Sequence, residues 1–240
     1  MPRFFTQNIS DIHGKILGAD AVHISRVLRM KVGEKLVVCD LDGYDYDCVI
    51  TSFSPDEVEF DVLNKHISLC EPDVSVTLYM AFPKSDKFEL IVQKCVELGV
   101  DKIVPVISAR CIARPDDRSS AKKLERYSKI AYEAAKQCGR AKIPKIDDFV
   151  DFKTALQLAK QSELSMLFYE KGGQAVGDIL SKKPNSIALF IGSEGGFEES
   201  EAKEAQKNGI HLAYLGPRIL RCETAAITAT ATVMFATGNL

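Results

Sequence analysis

The sequence predicts an α/β protein in two parts: a small β domain over residues 1–72, then a mostly parallel sheet covered by helices over residues 73–240. Three observations carry this. Up to about residue 70 the apolar residues form short, closely spaced strand-like runs with little helical periodicity. From residue 74 onward, apolar runs alternate with segments of helical period, the pattern of strands joined by crossover helices. Two of the later runs end in polar, glycine-bearing loops, and open α/β sheets bind ligands beyond the carboxyl ends of their strands.

In the first part, 35–41, 45–53 and 57–63 read as strands, and Asp42-Gly43 is a hairpin turn signal. One helix is expected at 19–29. Closely spaced strands with so little helix suggest a compact β-barrel. Glu71-Pro72-Asp73 is the candidate boundary. In the second part, 74–82 is a strand, and Ser85 or Asp86 caps a helix to Leu98 with Ile91, Cys95 and Leu98 on its apolar face. Gly99 ends that helix. Strand 103–107 precedes a long helix that starts at Ser119 or Ser120 and closes at Gly139. Helix 152–160 and strand 164–169 follow. The last elements are strand 187–191, helix 198–207, a strand ending at 213–215, and a helix of small residues opened by Glu223 or Thr224 and running to about Ala236.

Hydrophobic content of 46% and charged content of 27% are ordinary for a globular chain, and no apolar stretch is long enough to span a bilayer. The N-terminus lacks the charged region and apolar run of a signal peptide, so a cytoplasmic location is expected. Seven cysteines, an odd number with no CxxC, argue against a disulfide framework and a zinc site, and four scattered histidines make no ligand pair. No metal is expected. A net charge of −2 does not advertise nucleic-acid binding. Basic residues nevertheless cluster between 110 and 145 and at Arg26, Arg29 and Lys31. Solvated helix faces account well for Lys122, Lys123 and Arg126. Arg110 and Arg114 follow a strand and lie near the ligand edge of the sheet, which favours phosphate contact for them.

The most informative stretch is Gly192-Ser193-Glu194-Gly195-Gly196-Phe197, between a buried strand and an exposed helix. Its glycines free the backbone to turn and to present N–H groups. The common ligand of such a turn is a phosphate, but Glu194 would repel one. Neither GxxxxGK[ST] nor a helix-opening GxGxxG occurs, so a neutral or cationic ligand held by main-chain groups fits better. The second loop, 215–221, follows the next strand and begins with Gly216-Pro217. Both loops point to one site.

Together these segments resemble the RsmE family of SPOUT-class knotted methyltransferases. The family's GPEGG and LGxRILRxET signatures match in order and spacing, with Ser193 in place of the usual proline. Arg3-Phe4-Phe5 resembles its opening, and His23 with Val27-Leu28-Arg29 its HxxxVLR segment. Lys94 with Glu97-Leu98-Gly99-Val100 resembles KxxELGV, and Arg140 with Pro144 resembles RxxxP. Lys136-Gln137-Cys138 departs from the family's acidic and hydroxyl-bearing helix end, which weakens the case for substrate contacts there. The likeness covers nearly the whole chain.

The resemblance implies a PUA-like β-barrel that binds RNA, a SPOUT domain with a C-terminal trefoil knot, and a homodimer. It implies S-adenosyl-L-methionine as cofactor and N3 of a uridine in 16S rRNA of the small ribosomal subunit as substrate. Cofactor contacts are expected from Gly192, Glu194, Gly195, Gly196, Leu215, Gly216, Ile219, Leu220, Glu223, Thr224 and Ala225. Phe168, Tyr169 and Glu170 end a third strand and are further candidates, although a core role suits Phe168 better. Arg221 and Glu194 are the candidate catalytic residues. Arg221, next to a helix N-terminus, would stabilise the developing anion; an ion pair with Glu223 or Glu194 is the alternative. Glu194 would offset positive charge or hold the loop by accepting N–H bonds, and Glu223 would serve as a helix-terminal acid. Arg3, Arg26, Arg29, Arg110, Arg114 and Arg140 are candidates for RNA phosphate contacts. The competing reading is a non-catalytic RNA-binding or ribosome-associated module. It would need the basic segments but not the two glycine-bearing loops. A hydrolase or dehydrogenase finds no support, since GxSxG and the dinucleotide fingerprint are both missing.

Overall fold

The computed structural model describes residues 1–182 and 184–240. The chain divides into two compact units, Met1–Glu71 with Ala135–Ile143, and Pro72–Ala134 with Pro144–Leu240.

The first unit is a five-stranded sheet. Strands β1 (Arg3–Phe5) and β2 (His13–Leu17) precede a short helix α1 (Ala19–Val22), which continues as a π-turn over His23–Val27. Strands β3 (Lys35–Cys39), β4 (Tyr44–Ser54) and β5 (Glu57–Ile67) then form a meander. The sheet order is β1-β3-β4-β5-β2, antiparallel except for β1 against β3. Alternating residues of β3, β4 and β5 fill one core, including Leu36, Val38, Cys48, Ile50, Val58 and Phe60. The β3–β4 turn works through its own side chain: Asp40 Oδ1 accepts the N–H groups of Asp42 at 2.8 Å and Tyr44 at 3.1 Å, while Gly43 takes φ +97°. Strands β1 and β2 are too short and too polar at their ends to stand out by periodicity, and the sequence reading missed both.

A boundary at 72/73 does not anticipate that 135–143 packs with this first unit. The physical reason lies in three polar ties. Lys136 pairs with Asp20 and lies over the Phe4 ring at 4.3 Å, and the Cys39 thiol donates to the Ala141 carbonyl at 3.2 Å. Arg140, only 3% exposed, pairs with Glu71 at 2.8 Å, and Glu71 Oε1 also accepts the amides of Ala141 and Lys142.

The second unit is built on β6 (Ser75–Ala81), α2 (Lys87–Glu97), β7 (Lys102–Ile107) and α3 (Asp117–Cys138), whose last residues belong with the first unit. Strands β8 (Lys145–Ile146) and β9 (Val150–Asp151) are minimal. Next come α4 (Phe152–Ala159), β10 (Leu164–Phe168), β11 (Gln174–Ala175), α5 (Val176–Ile179) and a 3-10 turn at Leu180–Lys182. The unit closes with β12 (Ser186–Ile191), α6 (Glu199–Lys207), β13 (His211–Tyr214) and α7 (Cys222–Thr237). Every strand pair in this sheet is parallel, in the order β11-β13-β10-β12-β6-β7-β8 with β9 also on β7. The central strands are buried along nearly their whole length, as a parallel sheet covered on both faces requires. This agrees with the expected α/β class.

Helix α2 follows Asp86 and ends at Gly99, φ +99°, where a side chain would meet Pro72 Cγ at 2.7 Å. Helix α7 packs against α2 and β12. Its small residues permit that close approach, and the fully buried Thr230 hydroxyl is satisfied by the Ala226 carbonyl at 2.9 Å. No helix among the described residues is long and apolar enough to cross a membrane.

The strand order has one consequence for the site. Strands β12 and β13 are consecutive in the chain but not neighbours in the sheet, because β10 lies between them. Their two glycine-bearing loops therefore flank a third, the loop that follows β10.

Candidate active site

A cavity of about 360 Å³ opens at the carboxyl ends of β10, β12 and β13, and it is walled by all three loops and the start of α7. Its floor is apolar, from Phe168, Ile191, Leu215, Leu220 and Ala225. Tyr169, Glu170, Lys171, Ser193 and Arg218 supply the polar wall. This is where an open parallel sheet places a ligand.

The loop after β12 is a tight turn. The Gly196 amide donates to the Ser193 carbonyl at 2.9 Å, and Gly196 takes φ +66°. A Cβ on Gly192 would stand 2.8 Å from Gly196 Cα, so the turn closes only because position 192 has no side chain. Arg110 Nη1 donates to the Gly195 carbonyl at 2.8 Å. Phe197 is buried against Phe152. Glu201 ties the following helix start to the loop after β7: one carboxylate oxygen accepts the Glu198 amide in a capping box and the other accepts the Ala109 amide, both at 2.8 Å.

Glu194 points away from the cavity. Its carboxylate accepts the Lys84 amide at 3.1 Å and pairs with Lys87 Nζ at 3.0 Å. Burial alone would raise its pKa. Hydrogen bonds from its own amide, from Lys87 and from the Lys84 amide more than offset burial and hold the carboxyl below its usual range. Lys87 also lies 3.6 Å from Glu223 Oε2, so one ammonium links the loop after β12 to the first turn of α7. Glu223 is likewise held low: burial opposes ionisation, while its own amide, the Cys222 thiol and Lys87 favour it. The Cys222 thiol, pushed up to about 12 by burial and then by its hydrogen bond to Glu223, stays protonated and donates across 3.2 Å.

The loop after β13 is of a different kind. Gly216 turns it with φ +88°, and 216–219 is exposed, Ile219 to 85%. Among the described residues, the amides of Gly216, Arg218, Ile219 and Leu220 donate to no main-chain carbonyl. Arg221 occupies the N-cap position of α7, is exposed, and makes no ion pair among the described residues. The expected alternative, a pair with Glu223 or Glu194, is not formed, because Lys87 occupies both acids.

Of the residues expected to hold a cofactor, Gly192, Gly196, Leu215, Gly216, Ile219, Leu220 and Ala225 line the cavity. Glu194, Gly195, Glu223 and Thr224 do not, and the Glu194 carboxylate is engaged by the Lys84 amide and by Lys87. Two corrections concern RNA. Arg140 is buried in its pair with Glu71, and Arg3 makes a two-pronged pair with Asp45, with Nη1 at 2.9 Å, so neither guanidinium is presented to solvent as a phosphate contact. Arg26, Arg29 and Arg114 are exposed, Arg29 with φ +54°. Arg110 is engaged by the glycine loop.

The sequence reading missed Lys84 and Lys87, which follow β6 at the same carboxyl edge of the sheet and could have been found by the strand-end rule that located the two loops. Tyr169, named as a further candidate from the sequence, lines the cavity, and so does Ser193. Their phenol and hydroxyl oxygens are buried and meet no hydrogen-bond partner among the described residues.

Comparison with known proteins agrees with this architecture. The model of an RNA methyltransferase domain matches residues 70–234, and that of an RNA methyltransferase PUA domain matches residues 16–63. Ribosomal RNA small subunit methyltransferase E of Bacillus subtilis is 34% identical over 229 residues, 92% of this chain and 90% of that protein. Among solved structures, a ribosomal RNA small subunit methyltransferase E from Neisseria gonorrhoeae bound to S-adenosyl methionine superposes with a TM-score of 0.87 at 30% identity, covering 98% of this chain and 97% of that one. A putative methyltransferase from Legionella pneumophila in complex with the cofactor SAM gives 0.88 at 30% identity, again covering 98% and 97%. The chain belongs to the ribosomal RNA small subunit methyltransferase E family of RNA methyltransferases.

Proposed function

We propose that this protein transfers a methyl group from S-adenosyl-L-methionine to N3 of a uridine in 16S rRNA of the small ribosomal subunit. The observation that carries the reading is the cavity at the sheet's carboxyl edge, walled by main-chain groups of two glycine-bearing loops. Its features fit the cofactor. The unbonded amides of Gly216, Ile219 and Leu220 can read an adenine edge, and the apolar floor suits its ring.

S-adenosyl-L-methionine, when bound, supplies an electrophilic methyl group on a sulfonium sulfur. Gly192 and Gly196 keep the turn narrow and bring backbone atoms to the ligand, while Leu215, Leu220 and Ala225 exclude water from it. Lys87 and Glu194 hold the turn in place. Arg221 is the electrostatic catalyst. Loss of the N3 proton to water leaves negative charge on the uracil, which the exposed guanidinium and the N-terminal dipole of α7 stabilise together as N3 takes the methyl group and the thioether leaves. The target base leaves its stack to reach the cavity.

The finer architecture belongs to the same proposal. Residues 1–72 form a PUA-like RNA-binding barrel. The segment after β1 supports closure: Ile9 bridges Gly14, and the Lys15 amide donates to the Asn8 carbonyl at 2.9 Å, joining the two edges of the sheet order. Residues 73–240 form a SPOUT domain with a C-terminal trefoil knot. The packing of α7 against α2 and β12 after β13 is compatible with that knot. The protein works as a homodimer in the cytoplasm, and exposed Phe235 on α7 offers apolar surface for the pairing. Arg26, Arg29 and Arg114 contact RNA phosphates.

Nucleoside mass spectrometry of 16S rRNA from cells lacking the protein tests the reading. Loss of one N3-methyluridine, restored by the purified protein with S-adenosyl-L-methionine, is the expected result. Unchanged rRNA modification would defeat it and favour the non-catalytic RNA-binding module.

A further inference from the structure

We infer that Glu170 sets the charge preference of the cavity, so that it holds a positively charged sulfonium ligand more tightly than the uncharged thioether left after methyl transfer. The inference rests on reading the cavity as the S-adenosyl-L-methionine site, and it assigns the cavity wall a selectivity that its shape does not provide.

Three carboxylates surround the loop after β12, and their partners separate them. Glu194 and Glu223 share the Lys87 ammonium, and Glu194 also accepts a backbone amide. Glu170 follows Tyr169 at the end of β10 and lines the cavity itself. Its two carboxylate oxygens lie 3.1 and 3.2 Å from where a Cβ on Gly196 would stand, so the charge rests directly over the glycine turn. Among the described residues it accepts no hydrogen bond and pairs with no lysine or arginine. The remaining charged groups of the wall, Lys171 and Arg218, are both cationic. They suit the carboxylate of an amino-acid tail and oppose a cation. Among the described residues of the wall, Glu170 is therefore the one that carries negative charge.

The physical consequence is specific. The sulfonium cofactor and its thioether product share adenine, ribose and amino-acid tail, and differ by a methyl group and one formal charge. Apolar packing and main-chain hydrogen bonds treat them nearly alike. Glu170 is exposed, so water weakens its Coulomb attraction without removing it, and that attraction acts on the sulfonium and not on the thioether. Its attraction disappears when the methyl group leaves, and the product is released more readily than the cofactor.

Isothermal titration of the full chain and of Glu170→Gln tests this with S-adenosyl-L-methionine, S-adenosyl-L-homocysteine and sinefungin, which carries a protonated amine at the sulfonium position. Glu170→Gln should weaken the two cationic ligands about five- to tenfold and the neutral thioether less than about twofold. Retained thioether binding shows that the variant is folded, and Glu170→Asp should keep most of the preference. An equal loss for all three ligands, or no loss for any, overturns the role of Glu170 while leaving the cofactor site intact. A wild-type chain that binds none of them overturns the site and this inference together.

Discussion

The loops after β12 and β13 both carry glycine, both end a parallel strand, and both face one cavity, yet they are held in opposite ways. The first is fastened at nearly every residue: a turn hydrogen bond across Ser193 and Gly196, Arg110 on the Gly195 carbonyl, Lys84 and Lys87 on the Glu194 carboxylate, and Phe197 in the core. The second is anchored at its ends, by β13 and by the first turn of α7, with its middle exposed and the amides of Gly216, Arg218, Ile219 and Leu220 unbonded among the described residues. The difference separates two tasks. A wall built before the ligand arrives needs internal partners, whereas a wall that reads the ligand through its amides must leave them free.

The largest effect that would sharpen this contrast is expected at Arg221, in the open loop. Arg221→Ala should cut kcat by about a hundredfold with little change in S-adenosyl-L-methionine affinity, as measured by single-turnover methyl transfer and titration. Unchanged turnover would remove that side chain from the chemistry. In the fastened loop the expected failure is different. Gly192→Val would push a side chain into Gly196, whose Cα lies 2.8 Å from the new Cβ, so the turn cannot close. We expect cofactor affinity to fall at least about tenfold and stability by about 2 kcal/mol, read by titration and urea unfolding. If Gly192→Val binds normally, the loop is not a preformed wall.

The smallest effect concerns the brace. Glu194→Gln keeps the acceptor for the Lys84 amide but removes the charge that faces Lys87, and should weaken cofactor binding about two- to fivefold. The pH dependence follows from the depressed carboxyl pKa. The brace is fully present above the ordinary carboxyl value of 4.5 and is lost as pH falls through the lower folded value. Wild-type affinity should therefore stay level from neutral pH down to 4.5 and decline only below it, while Glu194→Gln shows no such decline from this group. A variant that follows the wild-type acid profile would show that Glu194 does not brace the loop.

Much of this arrangement was legible in the sequence. Apolar periodicity located the central strands β6, β7, β10 and β12 and the helices α2, α3, α4, α6 and α7 to within a few residues. Glycine spacing located both loops. Strands of two or three residues, such as β1, β8 and β11, leave no periodic trace and were missed. Side-chain partners were harder still. Arg3 and Arg140 carry the same charge as Arg26 and Arg29, and nothing local in the chain says that Asp45 and Glu71 wait to neutralise them.

Strand period, helix period and backbone sterics act over a few residues, so the α/β class, the order of elements and the two glycine turns can be read directly from the chain. The tertiary structure alone decided that β10 would lie between β12 and β13, which brings Tyr169 and Glu170 into the cavity wall. It also decided that Glu194 would turn to Lys87 and leave the cavity free of its charge. Strand order and ion-pair choice depend on groups far apart in the chain, and their energies exist only once the sheet has formed.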